Sequence, residues 1–394
     1  MRQQIEGSRA VAEAVRCCRP QVVAAYPITP QTHIIEHLAQ MVADGDLVAE
    51  FVSAESEFAA ASIVLGAVTA GSRSFTASAS QGLLLMTEVL FNIAGLRLPL
   101  VMVCANRAIG APINIFSDHQ DSMAVRDAGW VQLYVESNQE AVDTIIQGYR
   151  IAERCELPVM VCMDGFFLTH TFEPVDLPEQ EEVDAFLPAF QFARTLDPGR
   201  PMTLGGGSEA GNYMEYRQHQ HQALLSAADE IESCNTDFAK VFGRDHGGLI
   251  EGYKLEDAET IMVTLGSVVG AVKDAIDLLR EQGQLVGVLR LRCFRPFPVS
   301  ALVESLANAR QILVLEKALS IGADGIVATE LCAALHNAGQ TVAVEAVVAG
   351  LGGRDVTVAE IETIFRNAGT DVSRRCRFHG LKSESNDRPV KEEA

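Results

Sequence analysis

The feature that most narrows the fold is an alternation of strand-length apolar runs with helical stretches, repeated in two blocks and interrupted once. In the first block the runs at residues 22–25, 74–77, 98–104, 131–135 and 158–163 are largely apolar. Ala-rich stretches at 55–70 and 82–95 lie between them, and Ser137-Asn138-Gln139-Glu140 reads as a capping box opening a further helix. Strands apolar on both faces belong to a parallel sheet covered by helices on both sides. From residue 258 the alternation resumes: strands at 260–265, 285–291, 311–315 and 342–348, with helices running to Leu279, after Pro298, after Gly325 and from the capping box Thr357-Val358-Ala359-Glu360. The expected architecture is α/β throughout, in two domains.

Between the blocks, residues 173–207 are rich in Pro, Glu and Gly and read as an extended connector, followed by a polar helix over about 213–242. The expected boundaries are 1–170 for the first domain core, 171–256 for the connector and helix belonging to it, 257–369 for the second domain and 370–394 for a charged tail.

The first strand of the first block runs into Tyr26-Pro27-Ile28-Thr29-Pro30-Gln31, ahead of an amphipathic helix with Ile34, Ile35, Leu38, Met41 and Val42 on one face. Thr29 is the expected N-cap and Pro30 the expected first helical residue. Unpaired N–H groups and the positive helix dipole would then face the crevice beyond the strand ends, where α/β folds bind ligands and anions.

Charge excludes some partners. With 52 acidic against 31 basic residues the chain carries a formal charge of −21, unsuited to nucleic acid, an anionic membrane or direct capture of an acidic electron carrier. No signal-peptide h-region or membrane-spanning run is present, so a cytoplasmic protein is expected. The nine cysteines contain no Cys-x-x-Cys pair, against both a disulfide framework and a cluster or zinc site built from them.

His33-Ile34-Ile35-Glu36-His37 matches an inverted zinc-peptidase pattern, but residues 33, 36 and 37 fall on the helix side opposite its apolar arc, and no third protein ligand is evident. A solvated polar face is the expectation, and no metal site is assigned. Gly205-Gly206-Gly207 and Gly350-Leu351-Gly352 lack the spacing of a dinucleotide loop, and His219 and His221 point to different sides of their helix.

Four stretches, in order along the chain, resemble the α-subunit of the 2-oxoacid:ferredoxin oxidoreductases, and of the pyruvate-specific members in particular. They are Tyr26-Pro27-Ile28-Thr29-Pro30-Gln31, Glu55-Ser56-Glu57-Phe58-Ala59-Ala60-Ala61, Thr76-Ala77-Ser78-Ala79-Ser80-Gln81-Gly82-Leu83 and Asn106-Arg107-Ala108 with Asp118-His119-Gln120-Asp121. The third is two residues longer, in its Ser78-Ala79-Ser80 run, than the shortest form of that stretch. Without the resemblance, each has a plain structural reading: a capped turn, a favourable acid at a helix start, a strand-to-helix turn with Ser80 as cap, and a surface Arg.

The resemblance implies a doubly wound domain that binds thiamine diphosphate on its pyrimidine side, plus a smaller transketolase C-terminal-like domain. It implies that Glu57 hydrogen-bonds the aminopyrimidine ring, with Tyr26, Pro27, Ser80 and Gln81 beside the cofactor. Thr29, Ile28 and Arg107 would meet the substrate, with Arg107 and Thr29 clamping a 2-oxoacid carboxylate under residues 110–117. The Gly-Asp-Gly…Asn motif that carries Mg²⁺ and the cysteine spacing for [4Fe-4S] clusters are both missing. The resemblance therefore implies partner chains: a β-subunit holding the diphosphate and Mg²⁺, and γ- and ferredoxin-like δ-subunits passing electrons to ferredoxin. The implied reaction joins pyruvate and coenzyme A to give acetyl-CoA and CO₂, or runs in reverse. Left open are a sibling specific for 2-oxoglutarate, a branched 2-oxoacid or oxalate, and a non-catalytic interface subunit.

Overall fold

A computed structural model describes residues 2–369 and 376–382 of the 394-residue chain. The first domain is built on a seven-stranded sheet. In spatial order it contains Glu50–Ser53, Val22–Ala25, Ser74–Ser78, Val101–Asn106, Val159–Asp164 and Val131–Tyr134, all parallel, with Cys293–Arg295 antiparallel at the far edge. The two central strands are buried at every residue, as uniformly apolar runs require.

Helices Gly7–Cys17, Thr32–Asp44 and Asn138–Cys155 pack on one face, where the long helix Tyr213–Phe242 joins them through Ala227, Ile231, Cys234 and Phe238. The other face is covered by Glu57–Thr69, Ser80–Leu85 and Thr87–Gly95 and then by the second domain, with which it shares one continuous apolar core. That second domain has a six-stranded sheet: Ile250–Tyr253 antiparallel at one edge, then Val286–Leu291, Thr260–Thr264, Gln311–Glu316, Ala343–Val348 and Cys376–Phe378 in parallel.

Several expectations are corrected. The two domains exchange strands: Ile250–Tyr253, expected in the first, pairs in the second sheet, while Cys293–Arg295, expected in the second, edges the first. The connector contains the strand Phe172–Asp176, paired with Arg2–Glu6, and the helix Gln180–Phe186. Of the expected tail, Cys376–Phe378 is an edge strand, and residues 370–375 and 383–394 lie outside the described residues. The Thr357–Glu360 capping box forms, but only half of the one at Ser137 does. Ser137 Oγ accepts the Glu140 N–H at 3.2 Å, while the Glu140 carboxylate turns instead to Arg290 and to Arg292 Nε at 3.0 Å. Burial alone would raise the Glu140 carboxyl, yet these two guanidiniums hold it below its ordinary value. All three side chains are buried where the strand exchange takes place.

The helix after Val22–Ala25 begins at Thr32, so Thr29 is not its cap and Pro30 not its first residue. The chain turns at a cis Thr29–Pro30 peptide, and Gln31, at the cap position, makes no side-chain cap bond but ties the turn down: its N–H donates to the Ile28 carbonyl at 2.8 Å, and its Nε2 to Ala77 O at 2.7 Å and Tyr26 O at 3.3 Å. Among the described residues no helix is long and apolar enough to cross a membrane.

Candidate functional site

Four neighbouring parallel strands each deliver one of the expected groups at their C-terminal ends. Glu57 follows Glu50–Ser53, Tyr26 to Thr29 follow Val22–Ala25, Ser80 and Gln81 follow Ser74–Ser78, and Arg107 follows Val101–Asn106. This is the edge at which α/β sheets present ligand sites. Glu57, Ser80 and Arg107 are buried, while Tyr26, Pro27 and Thr29 are exposed and Ile28 and Gln81 are half-buried.

Glu57 is the first residue of its helix, and Ser56 caps that helix by accepting the Ala59 N–H at 3.2 Å. The carboxylate therefore needs no role in capping. It is 7% exposed and has no hydrogen-bond or ionic partner among the described residues, which leaves it able to take one from outside. It lies flat against Gly82: a Cβ at that position would stand 2.4 Å from Glu57 Oε1. The helix behind Glu57 is apolar but not fully enclosed, since Phe58 is 40% exposed and Ile63 and Leu65 are half-buried. Leu85 at 51% and Ile113 at 80% extend the uncovered apolar surface onto the next helix and the loop 110–117.

Ser80 is not a cap; that position belongs to Ala79. Ser80 takes a left-handed φ of 51°, and its hydroxyl turns away from its own helix to donate to the Ala108 carbonyl. Its N–H donates to Asp121 Oδ2 at 2.8 Å, and the same oxygen accepts the Arg107 N–H at 3.0 Å. Asp121, fully buried, thereby locks the two turns together, with Asn106 Nδ2 on its other oxygen at 2.8 Å. Gln81 approaches the loop so closely that a Cβ on Gly110 would lie 2.6 Å from Gln81 Nε2.

Arg107 donates from Nη1 to the Thr29 carbonyl and from Nε to the Asn114 carbonyl, each at 3.0 Å. The Thr29 hydroxyl, expected as part of the clamp, is left free at the surface while its carbonyl holds the guanidinium. Nη2 also has no partner among the described residues and can donate to a planar anion. Burial lowers the guanidinium's pKa and the Asp121 charge offsets part of that, as expected for a cation awaiting a counter-charge.

The segment over Arg107 is held by the second domain. Asn114 Nδ2 donates to Gly352 O at 3.0 Å, Gly353 N–H to Ser117 O at 2.7 Å and Gly352 N–H to Asp118 Oδ2 at 3.1 Å. Gly352 and Gly353 both adopt positive φ, and a Cβ on Gly353 would strike Phe116. Beneath, buried Asp164 accepts from Ser117 Oγ at 2.7 Å and Lys317 Nζ at 2.6 Å, and lies 3.0 Å from His119 Nε2. Burial would raise that carboxyl, but Lys317 first and His119 second hold it well below the ordinary aspartate range. Asp121, Asp164, Lys317 and Gln31 escape a sequence reading. The strand-ending Asp164-Gly165 and the Asp-His-Gln-Asp run were the available signals, whereas Lys317 lies far along the chain and carries none.

The model of a family described as pyruvate flavodoxin/ferredoxin oxidoreductase, thiamine diP-binding, matches residues 13–236, and that of pyruvate:ferredoxin oxidoreductase core domain II matches residues 258–361. The chain is 48% identical over 388 residues to pyruvate synthase subunit PorA of Methanosarcina barkeri, covering 96% of each chain. It is 42% identical over 361 residues to ketoisovalerate oxidoreductase subunit VorA of Pyrococcus horikoshii, covering 91% of this chain and 92% of that one. Among solved structures it superposes on a 2-oxoglutarate:ferredoxin oxidoreductase from Magnetococcus marinus with a TM-score of 0.68 at 21% identity, covering 93% of this chain and 65% of that one. This last likeness speaks to the fold.

Proposed function

The chain belongs to the pyruvate flavodoxin/ferredoxin oxidoreductase family, and from that premise we propose that it is the α-subunit of a pyruvate synthase. The complex would convert pyruvate and coenzyme A to acetyl-CoA and CO₂ while passing two electrons to ferredoxin, or run in reverse. This chain contributes half of the reaction site. The observation that carries the reading is the buried carboxylate of Glu57, without a partner among the described residues, at the same sheet edge as Arg107, on segments that also carry the exposed apolar side chains Phe58, Leu85 and Ile113.

Thiamine diphosphate fits these residues. An aminopyrimidine protonated at a ring nitrogen would supply the donor that Glu57 lacks, and Gly82 leaves the carboxylate uncrowded. When bound, the cofactor supplies the nucleophilic centre for the 2-oxoacid carbonyl carbon and accepts the electrons left when CO₂ departs. Glu57 holds and exchanges a proton at the ring nitrogen, in a site dry enough for the transfer to be strong. Arg107 uses Nη2, with the Thr29 hydroxyl beside it, to orient the substrate carboxylate. Residues 110–117 and the exposed apolar side chains keep water out. A β-subunit seated on those side chains would hold the diphosphate through Mg²⁺, with [4Fe-4S] clusters in further subunits and ferredoxin docking there rather than on this acidic chain.

Residues 110–117 contain no basic group that could receive the second carboxylate of 2-oxoglutarate, which favours a monoanionic substrate. Reconstitution tests the reading. The chain combined with its diphosphate-binding and cluster-bearing partners is expected to reduce ferredoxin in a pyruvate- and coenzyme A-dependent way. Faster reduction with ketoisovalerate or 2-oxoglutarate would assign the sibling activity. A loaded complex that turns over none of them would leave a structural subunit.

A further inference from the structure

The His33-x-x-x-His37 pair has a third partner after all, and it comes from outside the motif. Glu36 is exposed, but Glu6, at the junction of strand Arg2–Glu6 and helix Gly7–Cys17, places Oε1 2.8 Å from His33 Nδ1 and Oε2 3.9 Å from His37 Nε2. The His170 ring lies against His33, with ring centroids 4.6 Å apart and planes tilted by 37°. One ligand atom each from Glu6, His33 and His170 lies within 4.8 Å of the others.

The backbone holding these groups is fixed. Gly7 N–H donates to Thr171 O at 3.1 Å, and Ser8 donates to Thr169 O from N–H at 2.9 Å and from Oγ at 2.8 Å. Gly7 is packed so closely on the Leu168 carbonyl that a Cβ would overlap it. Thr169 Oγ1 lies 2.7 Å from His170 Nδ1 and can accept its proton, which frees Nε2 as a ligand and orients the ring, the usual outer support of a metal-bound imidazole.

We propose that Glu6, His33 and His170 form a binding site for a divalent transition-metal ion of the zinc class, with His37 or water completing it. Two imidazoles and one carboxylate are a zinc-type donor set. Ligand atoms around tetrahedral zinc sit roughly 3.5 Å apart, so closure from the present spacing takes small rotations of side chains that are only partly buried. The nearby cation Arg9 is paired with Glu13 at 2.7 Å, and exposed Glu36 adds negative charge.

The ion would act as a clip. His33 is on the helix that follows the 26–31 turn, and the His170 ring continues through Phe166, 4.7 Å away, to Phe116 on the loop over Arg107, a further 5.3 Å. It would fasten that helix to the segment bearing this aromatic row, without entering the reaction proposed above.

Equilibrium dialysis of the chelator-treated full chain against radioactive zinc at pH 7.5 tests the site, and iron–sulfur absorbance cannot obscure it. One tight equivalent per chain is expected, weakened roughly 10–100-fold or more in His170→Ala and Glu6→Gln and unchanged in His219→Ala. Circular dichroism establishes that each variant is folded, and His33→Gln serves if His170→Ala is not. The proposal is overturned if the wild-type chain lacks this equivalent, or if the folded Glu6 and histidine variants bind zinc as the wild-type does.

Discussion

Replacing Glu57 with Gln in the assembled complex should lower turnover by roughly two to four orders of magnitude, the range associated with losing a positioned proton-transfer group. Gln preserves size, one acceptor oxygen and the packing against Gly82, and Ser56 continues to cap the helix, so fold and assembly should survive. What disappears is a group able to share and exchange a proton with the ring nitrogen. Gel filtration of the complex separates this from failed assembly: normal assembly with collapsed turnover assigns the loss to chemistry. Turnover near the wild-type rate would remove Glu57 from the mechanism.

Arg107→Ala is expected to act on substrate capture. If the carboxylate–guanidinium pair is desolvated, its loss costs about 2–5 kcal/mol, or roughly 30- to 5,000-fold in kcat/KM for pyruvate. The larger share should lie in KM, because Arg107 touches the carboxylate and not the bond that breaks. Part of the effect will come through the loop, since the same guanidinium ties Thr29 to Asn114. Arg107→Lys separates the two: it keeps the charge but loses the planar fork, and should recover only part of the affinity. Wild-type saturation by pyruvate in Arg107→Ala would show that the carboxylate is held elsewhere.

How legible the site was in the sequence depends on how locally each contact is made. Mostly apolar strands announced the parallel sheet, and each chain segment leaving a strand end carries one of the candidate residues. Glu57, Ser80 and Arg107 lie at one edge of the sheet because their strands, with Val22–Ala25 between the first two, all run parallel. Local signals misled where long-range contacts decided the backbone. Thr29 and Ser80 look like caps, but the Thr29 carbonyl is taken by Arg107 and the Ser80 turn by Asp121 and Ala108. Glu140 looked like half of a capping box until Arg290 and Arg292, some 150 residues away, claimed its carboxylate. The exchange of Ile250–Tyr253 and Cys293–Arg295 between domains is equally invisible from within, because each is a short strand whose partner is set by topology. On the polar side of the 32–44 helix Glu36 is exposed and His33 partly so, as read, but the contacts of Glu6 and His170 with His33 come from distant segments.

The account rests on Glu57 meeting a cofactor held by another polypeptide, and a density map of the complete complex loaded with thiamine diphosphate tests that most directly. A pyrimidine ring nitrogen within hydrogen-bonding distance of the Glu57 carboxylate, about 2.6–3.2 Å, is the predicted result, with a partner subunit covering Phe58 and Leu85. Solvent beside Glu57, with the cofactor bound elsewhere, would contradict it.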